Sequence, residues 1–130
     1  MISVPLKAPI TCDTKFEYIY AWDAVNKTYV PVTTFEPGKG YWVLYDKEIN
    51  VTFTGSEELS EYEINLIEGW NLIGTIAYKV DVSKLPMGKI DVIYTWDPEE
   101  GRYVVPETLE PGKAYWILAK ENITLKLPPS

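Results

Sequence analysis

Short stretches of this chain alternate apolar and polar residues with a period of two, the signature of half-buried β-strands. In FEYIYAW (16–22), Phe16, Tyr18, Tyr20 and Trp22 share one face and Glu17, Ile19 and Ala21 the other. IDVIYTW (90–96) repeats the arrangement, with Ile90, Val92, Tyr94 and Trp96 opposite Asp91, Ile93 and Thr95. INVTF groups Ile49, Val51 and Phe53; ITLKL groups Ile123, Leu125 and Leu127; YEINL groups Tyr62, Ile64 and Leu66. No stretch carries a helical period. SEELSEYE at 56–63 has too few apolar positions for more than a single turn.

The alternating stretches come in duplicate. Slid against itself by 74 residues, the chain matches without a gap from 19–53 to 93–127, with fifteen of the 35 positions identical. IYAWD meets IYTWD, and EPGKGYWVL (36–44) meets EPGKAYWIL (110–118). Self-similarity of this strength marks a duplicated unit. The second copy predicts strands at 72–75, 92–96, 103–105, 114–119 and 123–127. In WDPEEGRY, Asp97 accepts backbone N–H bonds, Pro98 presets φ and Gly101 supplies a positive φ, the makings of a tight hairpin. EINLIEGWNLIGT (63–75) reads as a second hairpin turning at Glu68-Gly69. Aligning Ile2-Ser3 with Ile73-Gly74 leaves the first copy without the GWN that opens the second.

The expected fold is therefore all-β, a pseudo-twofold duplicated sandwich or barrel of roughly ten short strands. Residues 1–130 are expected to form one domain of two repeats, about 1–60 and 61–127, sharing one core because a half of this size is marginal alone. The closing LPPS (127–130) reads as the start of a linker at 128–130, and both ends read as those of a piece lifted from a longer chain.

Composition narrows the function. The chain has no histidine, one cysteine (Cys12) and one arginine (Arg102). Cys/His zinc sites and Ser-His or Cys-His catalysis are thereby excluded, Cys12 reads as an inert thiol, and no catalytic residue, metal or cofactor is expected. A net charge of −7 argues against a nucleic-acid partner. No apolar run is long enough for membrane insertion, and the start lacks a signal-peptide pattern. The absence of glutamine beside a Lys/Glu bias points to a hot environment.

Three features carry candidate chemistry. In each Tyr-Trp pair, neighbours on a strand point to opposite faces, so Tyr41 and Trp42, or Tyr115 and Trp116, cannot both enter one core. Either one aromatic of each pair stays exposed as a binding platform, or a neighbouring segment covers it. Asn26, Asn50 and Asn122 open Asn-x-Thr sequons and are candidate glycosylation sites. The acidic loop of Asp97, Glu99 and Glu100 has calcium-like oxygens, but the first copy does not keep them, so a solvated turn is expected.

GWNLIG followed by IYTWD and EPGKAYWIL resembles the Gly-Trp-Asn-Leu … Pro-Gly-x-x-Tyr-Trp repeat modules of secreted and cell-surface proteins in archaea and bacteria. The resemblance runs through Gly69, Trp70, Asn71, Leu72, Trp96, Asp97, Tyr103, Pro111, Gly112, Tyr115 and Trp116. It implies a non-catalytic accessory module of a larger exported or surface protein, extracellular or on the cell surface. Such a module would act in packing, tethering or protein–protein interaction with its parent or a neighbouring surface protein. The alternative is a carbohydrate- or polymer-binding module whose partner is a polysaccharide, with Trp42, Trp116, Tyr41, Tyr115 and Trp70 as candidate binding residues.

Overall fold

The computed structural model describes residues 1–4, 6, 10–12, 18–43, 53–54 and 58–129. The first repeat contributes β1 (Thr11–Cys12), β2 (Ile19–Asp23), β3 (Thr28–Pro31), β4 (Trp42–Val43) and β5 (Phe53–Thr54). Next come β6 (Tyr62–Leu66), β7 (Gly69–Ile73) and β8 (Val80–Asp81), then a single 3₁₀ turn at Val82–Lys84. The chain closes with β9 (Ile90–Asp97), β10 (Arg102–Val104), β11 (Thr108–Leu109), β12 (Tyr115–Ala119) and β13 (Ile123–Leu127). The structure is thus almost entirely β, as the alternation predicts.

Among the described residues, every strand pairing is antiparallel. The first repeat forms a sheet in the order β3-β2-β4 and the second forms β10-β9-β12-β7. Strand β6 pairs with β13, β8 with β11 and β1 with β5. The hairpin expected at Glu68-Gly69 is instead a corner, because β6 and β7 belong to different sheets. Asn71 stabilises that corner. Its Oδ1 accepts from the Ile67 N–H at 3.1 Å, and its Nδ2 donates to the carbonyls of Ile67 (2.9 Å) and Gly69 (3.1 Å). Gly69 turns the chain at φ 103°, a value costly for any residue with a Cβ.

The EPGKxYW motif explains itself in the same way. Pro111-Gly112, with Gly112 at φ 85°, occupies the centre of a turn that the Lys113 N–H closes onto the Glu110 carbonyl at 3.3 Å. The Lys113 ammonium meets the Glu110 carboxylate at 2.8 Å, and the Glu110 N–H donates to the Tyr115 hydroxyl at 2.7 Å. The first repeat makes the same bonds: Lys39 to Glu36 at 2.7 Å, and the Glu36 N–H to the Tyr41 hydroxyl at 2.8 Å. Both tyrosines are only 1% exposed.

The two repeats grip each other reciprocally. Ile2 bridges Tyr41 of its own repeat and Lys113 of the other; Ile73 pairs with Tyr115 of its own repeat and bridges Lys39 of the other. The Ser3 N–H donates to the Gly112 carbonyl (2.9 Å), and the Gly74 N–H to the Gly38 carbonyl (3.1 Å). Where these exchanges meet, space allows one Cβ for each pair of equivalent positions. A Cβ on Gly40 would lie 2.7 Å from that of Ala114, and one on Gly74 would lie 2.6 Å from that of Ser3.

Among the described residues, the buried apolar side chains form three clusters instead of one shared core. Val4, Ile19, Ala21, Phe35 and Tyr41 fill the first repeat. A larger set around Ile64, Leu66, Ile93, Tyr115, Ile117 and Leu125 lies between the β10-β9-β12-β7 sheet and the β6-β13 pair. Between the repeats, Leu72, Ala114 and Trp116 pack with Met1, Trp22, Trp42 and Tyr94. Alternation is obeyed in β13 and β6. In β9 it is broken by an irregularity in which Leu118 pairs with Val92 but Ala119 with Ile90. The extra residue, Asp91, returns Ile90 to the core side beside Ile93, away from Val92, Tyr94 and Trp96. The cores lie under the aliphatic faces: Ile19 and Ala21 are buried, whereas Tyr18 is exposed. The pattern expected for Ile49 and Val51 falls outside the described residues.

Candidate functional site

With aliphatic side chains filling the cores, the aromatic faces of the two main sheets are left to meet each other. Cross-strand partners share a face. Trp22 faces Tyr29 and Tyr20 faces Trp42 in the first repeat; Trp96 faces Tyr103 and Tyr94 faces Trp116 in the second. Trp70 stands opposite Leu118 on that same face. The rings then pack crosswise between repeats. Trp22 lies edge-on to Trp116 at 5.2 Å and 79°, and Trp42 lies edge-on to Trp96 at 5.7 Å and 64°. Such edge-to-face pairs are worth about 0.5–1.5 kcal/mol each beyond the area they bury.

The aromatic interface is not closed throughout. It opens into a cleft of about 450 Å³ lined by Trp22, Tyr29, Trp70, Tyr94, Tyr103 and Trp116. That volume lies within the range of small-ligand sites. Trp70 and Tyr94 form a near-parallel pair, 6.2 Å apart at 27°. Trp116 stands edge-on to Trp70 at 6.1 Å and 85°, so rings of two orientations line the cleft. Trp70, Tyr29 and Tyr103 are 39%, 44% and 42% exposed. The Trp22 indole N–H is already committed to the Trp70 carbonyl at 3.0 Å, which ties the two lining residues together across the repeats.

Compared with protein-family models, curated proteins and solved structures, the chain matches none.

The polar side-chain groups of the cleft residues are the phenols of Tyr29, Tyr94 and Tyr103 and the indole N–H groups of Trp22, Trp70 and Trp116. Burial, reinforced by the nearby Tyr103, pushes the Tyr29 hydroxyl above the usual tyrosine range and keeps it a protonated donor at neutral pH. The indole N–H of Trp42 lies towards that hydroxyl, favouring its ionised form, without closing a hydrogen bond of good geometry. The lining contains no carboxylate, amide, ammonium or guanidinium group. Among the described residues, no group of three or more His, Cys, Asp or Glu side chains is placed to hold a metal ion. The Asp97 loop is a turn: its carboxylate accepts from the Glu99 and Glu100 N–H groups (3.0 and 3.3 Å), while Arg102 pairs with Glu100 at 2.7 Å.

Of the residues singled out from sequence, Trp70 and Trp116 line the cleft and Trp42 packs just behind it. Tyr41 and Tyr115 do not reach it: both are buried on the opposite faces, with their hydroxyls engaged by Glu36 and Glu110. Trp22, Tyr29, Tyr94 and Tyr103 were missed. Their signal was their parity, since Trp22, Tyr29, Tyr94 and Tyr103 fall at positions identical in both repeats. Asn26 and Asn122 are exposed on turns, where Asn26 donates to Asp23 and Asn122 accepts from the Glu68 N–H. Asn50 lies outside the described residues.

Proposed function

We propose that this chain is a non-catalytic β module that holds a partner in its aromatic cleft, as an accessory part of a larger exported or cell-surface protein. The observation that carries the reading is the cleft itself. Both repeats contribute rings to it, three of its six rings are substantially exposed, and exposed aromatic patches of this kind are typical of contact sites. The missing histidine and a lining whose only acid/base groups are phenols support the non-catalytic part. The resemblance to surface-protein repeat modules supports the tethering role, and the exposed sequons at Asn26 and Asn122 are in keeping with export.

A second reading, a carbohydrate-binding module, is favoured by one arrangement. The near-parallel, partly exposed Trp70 and Tyr94 offer faces on which a sugar ring can stack. Tryptophan fluorescence titrations with oligosaccharides, peptides and quaternary ammonium compounds test the cleft as a site. Saturation by one class, abolished in a folded Trp70→Ala variant, is the expected result. No saturable response to any class would overturn the proposal.

A further inference from the structure

The two repeats complete their sheets differently. In the second, β7 covers the outer edge of β12 over five residues, Gly69–Ile73 against Tyr115–Ala119. In the first, the matching edge of β4 is met by Ile2, whose N–H and carbonyl both bond Tyr41 at 2.8 Å. Backbone groups alternate in direction along a strand. Trp42 therefore directs its N–H and carbonyl to β2, and those of Val43 leave by the same edge as those of Tyr41. Among the described residues, Val43 pairs only with Ile19 of β2, on its other side.

A side-chain donor points to the same edge. The repeats are joined by contacts that come in pairs: Trp22 meets Trp116 as Trp96 meets Trp42, and Ser3 bonds Gly112 as Gly74 bonds Gly38. One bond has no twin. The Trp22 indole N–H donates to the Trp70 carbonyl of β7 at 3.0 Å, whereas the Trp96 indole N–H makes no hydrogen bond among the described residues. By the symmetry of the other pairs, its acceptor is a carbonyl of a strand lying beside β4.

We propose that this edge takes a β-strand from a partner polypeptide, antiparallel to β4 and carrying a Gly-Trp-Asn sequence. The second repeat specifies the occupant. Its Trp70 stacks near-parallel on Tyr94 at 6.2 Å and 27°, and Tyr20 is the first repeat's counterpart of Tyr94. Its Asn71 stands opposite Ile117, the counterpart of Val43. Met1 already holds the place of Leu72, since both belong to the apolar cluster between the repeats, so the incoming strand reaches only as far as its asparagine. Gly-Trp-Asn occurs once within residues 1–130, and that copy is paired in β7. Backbone bonds to Val43 fix the direction of the added strand, and an indole seated on Tyr20 selects its sequence. The edge is separate from the aromatic cleft, whose lining includes none of Tyr20, Val43 and Trp96.

The test adds the end-blocked peptide Ile-Glu-Gly-Trp-Asn, the sequence of residues 67–71, to the whole chain. Calorimetry reads binding and amide hydrogen exchange reads its place. Saturable binding that slows exchange at the Val43 N–H is expected. Alanine in place of the peptide's tryptophan should weaken it at least tenfold, and Trp96→Phe in the protein several-fold. Val43→Pro removes the outward N–H at an edge position, where proline is tolerated, and should abolish binding. Trp70→Ala, the probe of the cleft, should leave it unchanged, so this proposal and the reading of the cleft fail separately. Binding that survives both Val43→Pro and Trp96→Phe would refute the location. No binding of the free peptide would overturn the proposal, even if the same segment fused ahead of Met1 protected Val43, because a partner would then not be the source.

Discussion

Gly40 faces Ala114 across the join between the two repeats, so closely that a Cβ on Gly40 would stand 2.7 Å from the Ala114 methyl. It would also meet the Ile73 carbonyl oxygen at 2.8 Å. The one residue that differs within EPGKxYW therefore differs because only one of the two equivalent positions can carry a methyl group. Gly40→Ala is expected to destabilise the protein by about 1–3 kcal/mol, the usual range for overpacking. Adding Ala114→Gly should recover part of the loss, since it relieves the methyl contact but not the carbonyl one. Denaturant midpoints of the four combinations measure the coupling; strictly additive effects would refute the apposition.

The hydroxyls of Tyr41 and Tyr115 should matter for stability and not for binding. Tyr41→Phe or Tyr115→Phe strands the N–H of Glu36 or Glu110, at a cost of about 1–3 kcal/mol each where that group stays out of water.

Alkaline pH probes the same pair. Burial raises both phenols, Tyr41 from 10.0 to about 12. Their neutral forms are favoured in the folded state, so this contribution is complete below pH 10.0. It is lost as the unfolded chain ionises and pH climbs toward about 12. Unfolding monitored across that window should show stability falling, with a shallower fall in Tyr41→Phe. A flat profile in the unmodified chain would contradict the burial.

Thr75 is 1% exposed, and its hydroxyl has no hydrogen-bond partner among the described residues. The equivalent place in the first repeat, taking Ile2 as the counterpart of Ile73, is held by Val4, itself buried. Thr75→Val removes an unsatisfied polar group at nearly constant shape and should raise stability by about 1 kcal/mol. A lowered melting temperature would show that the hydroxyl has a role that the fold does not display.

Asn71 makes three hydrogen bonds of 3.1 Å or shorter at the corner between β6 and β7. Asn71→Asp keeps the shape but turns the amide donor into an oxygen facing two carbonyls. It should cost more than Asn71→Ala, which itself is expected to lose about 2–3 kcal/mol from stranded backbone groups. Thermal unfolding of the two variants checks the order. Equal losses would mean the amide nitrogen is idle.

Strand positions and the Pro-Gly turns were legible because they depend on local rules: two-residue alternation, a Gly able to take a positive φ, and an Asp accepting from the next N–H groups. Which face of β2 and β9 is the core was not legible. Both faces are apolar, so periodicity separates Tyr20 and Trp22 from Ile19 and Ala21 without saying which pair is buried. The irregularity at Leu118 and Ala119 was hidden too, because Asp91 still obeys the alternation on paper. The cleft needed tertiary information most of all. Trp22 and Trp116 lie 94 positions apart in number, and only the crosswise meeting of two sheets brings them to 5.2 Å. The Tyr-Trp pairs announced that something repeated; only burial could tell that Tyr41 and Tyr115 serve the turn and their neighbours the interface.

The Ser3 N–H bonds the Gly112 carbonyl, and its hydroxyl bonds the Lys113 carbonyl 110 positions away. Ile2 and Val4 find partners within the first repeat, at Tyr41 and in its apolar cluster, but Ser3 can close only when the Pro-Gly turn of the second repeat is in place. Long-range closures of this kind slow folding, and here the delay falls on the residues that join one repeat to the other. Until they close, the aromatic faces later sealed between the sheets stay open to solvent and to other nascent chains. Joining of the two repeats waits on the second Pro-Gly turn, and the hazard of misassociation is greatest before that turn meets Ser3.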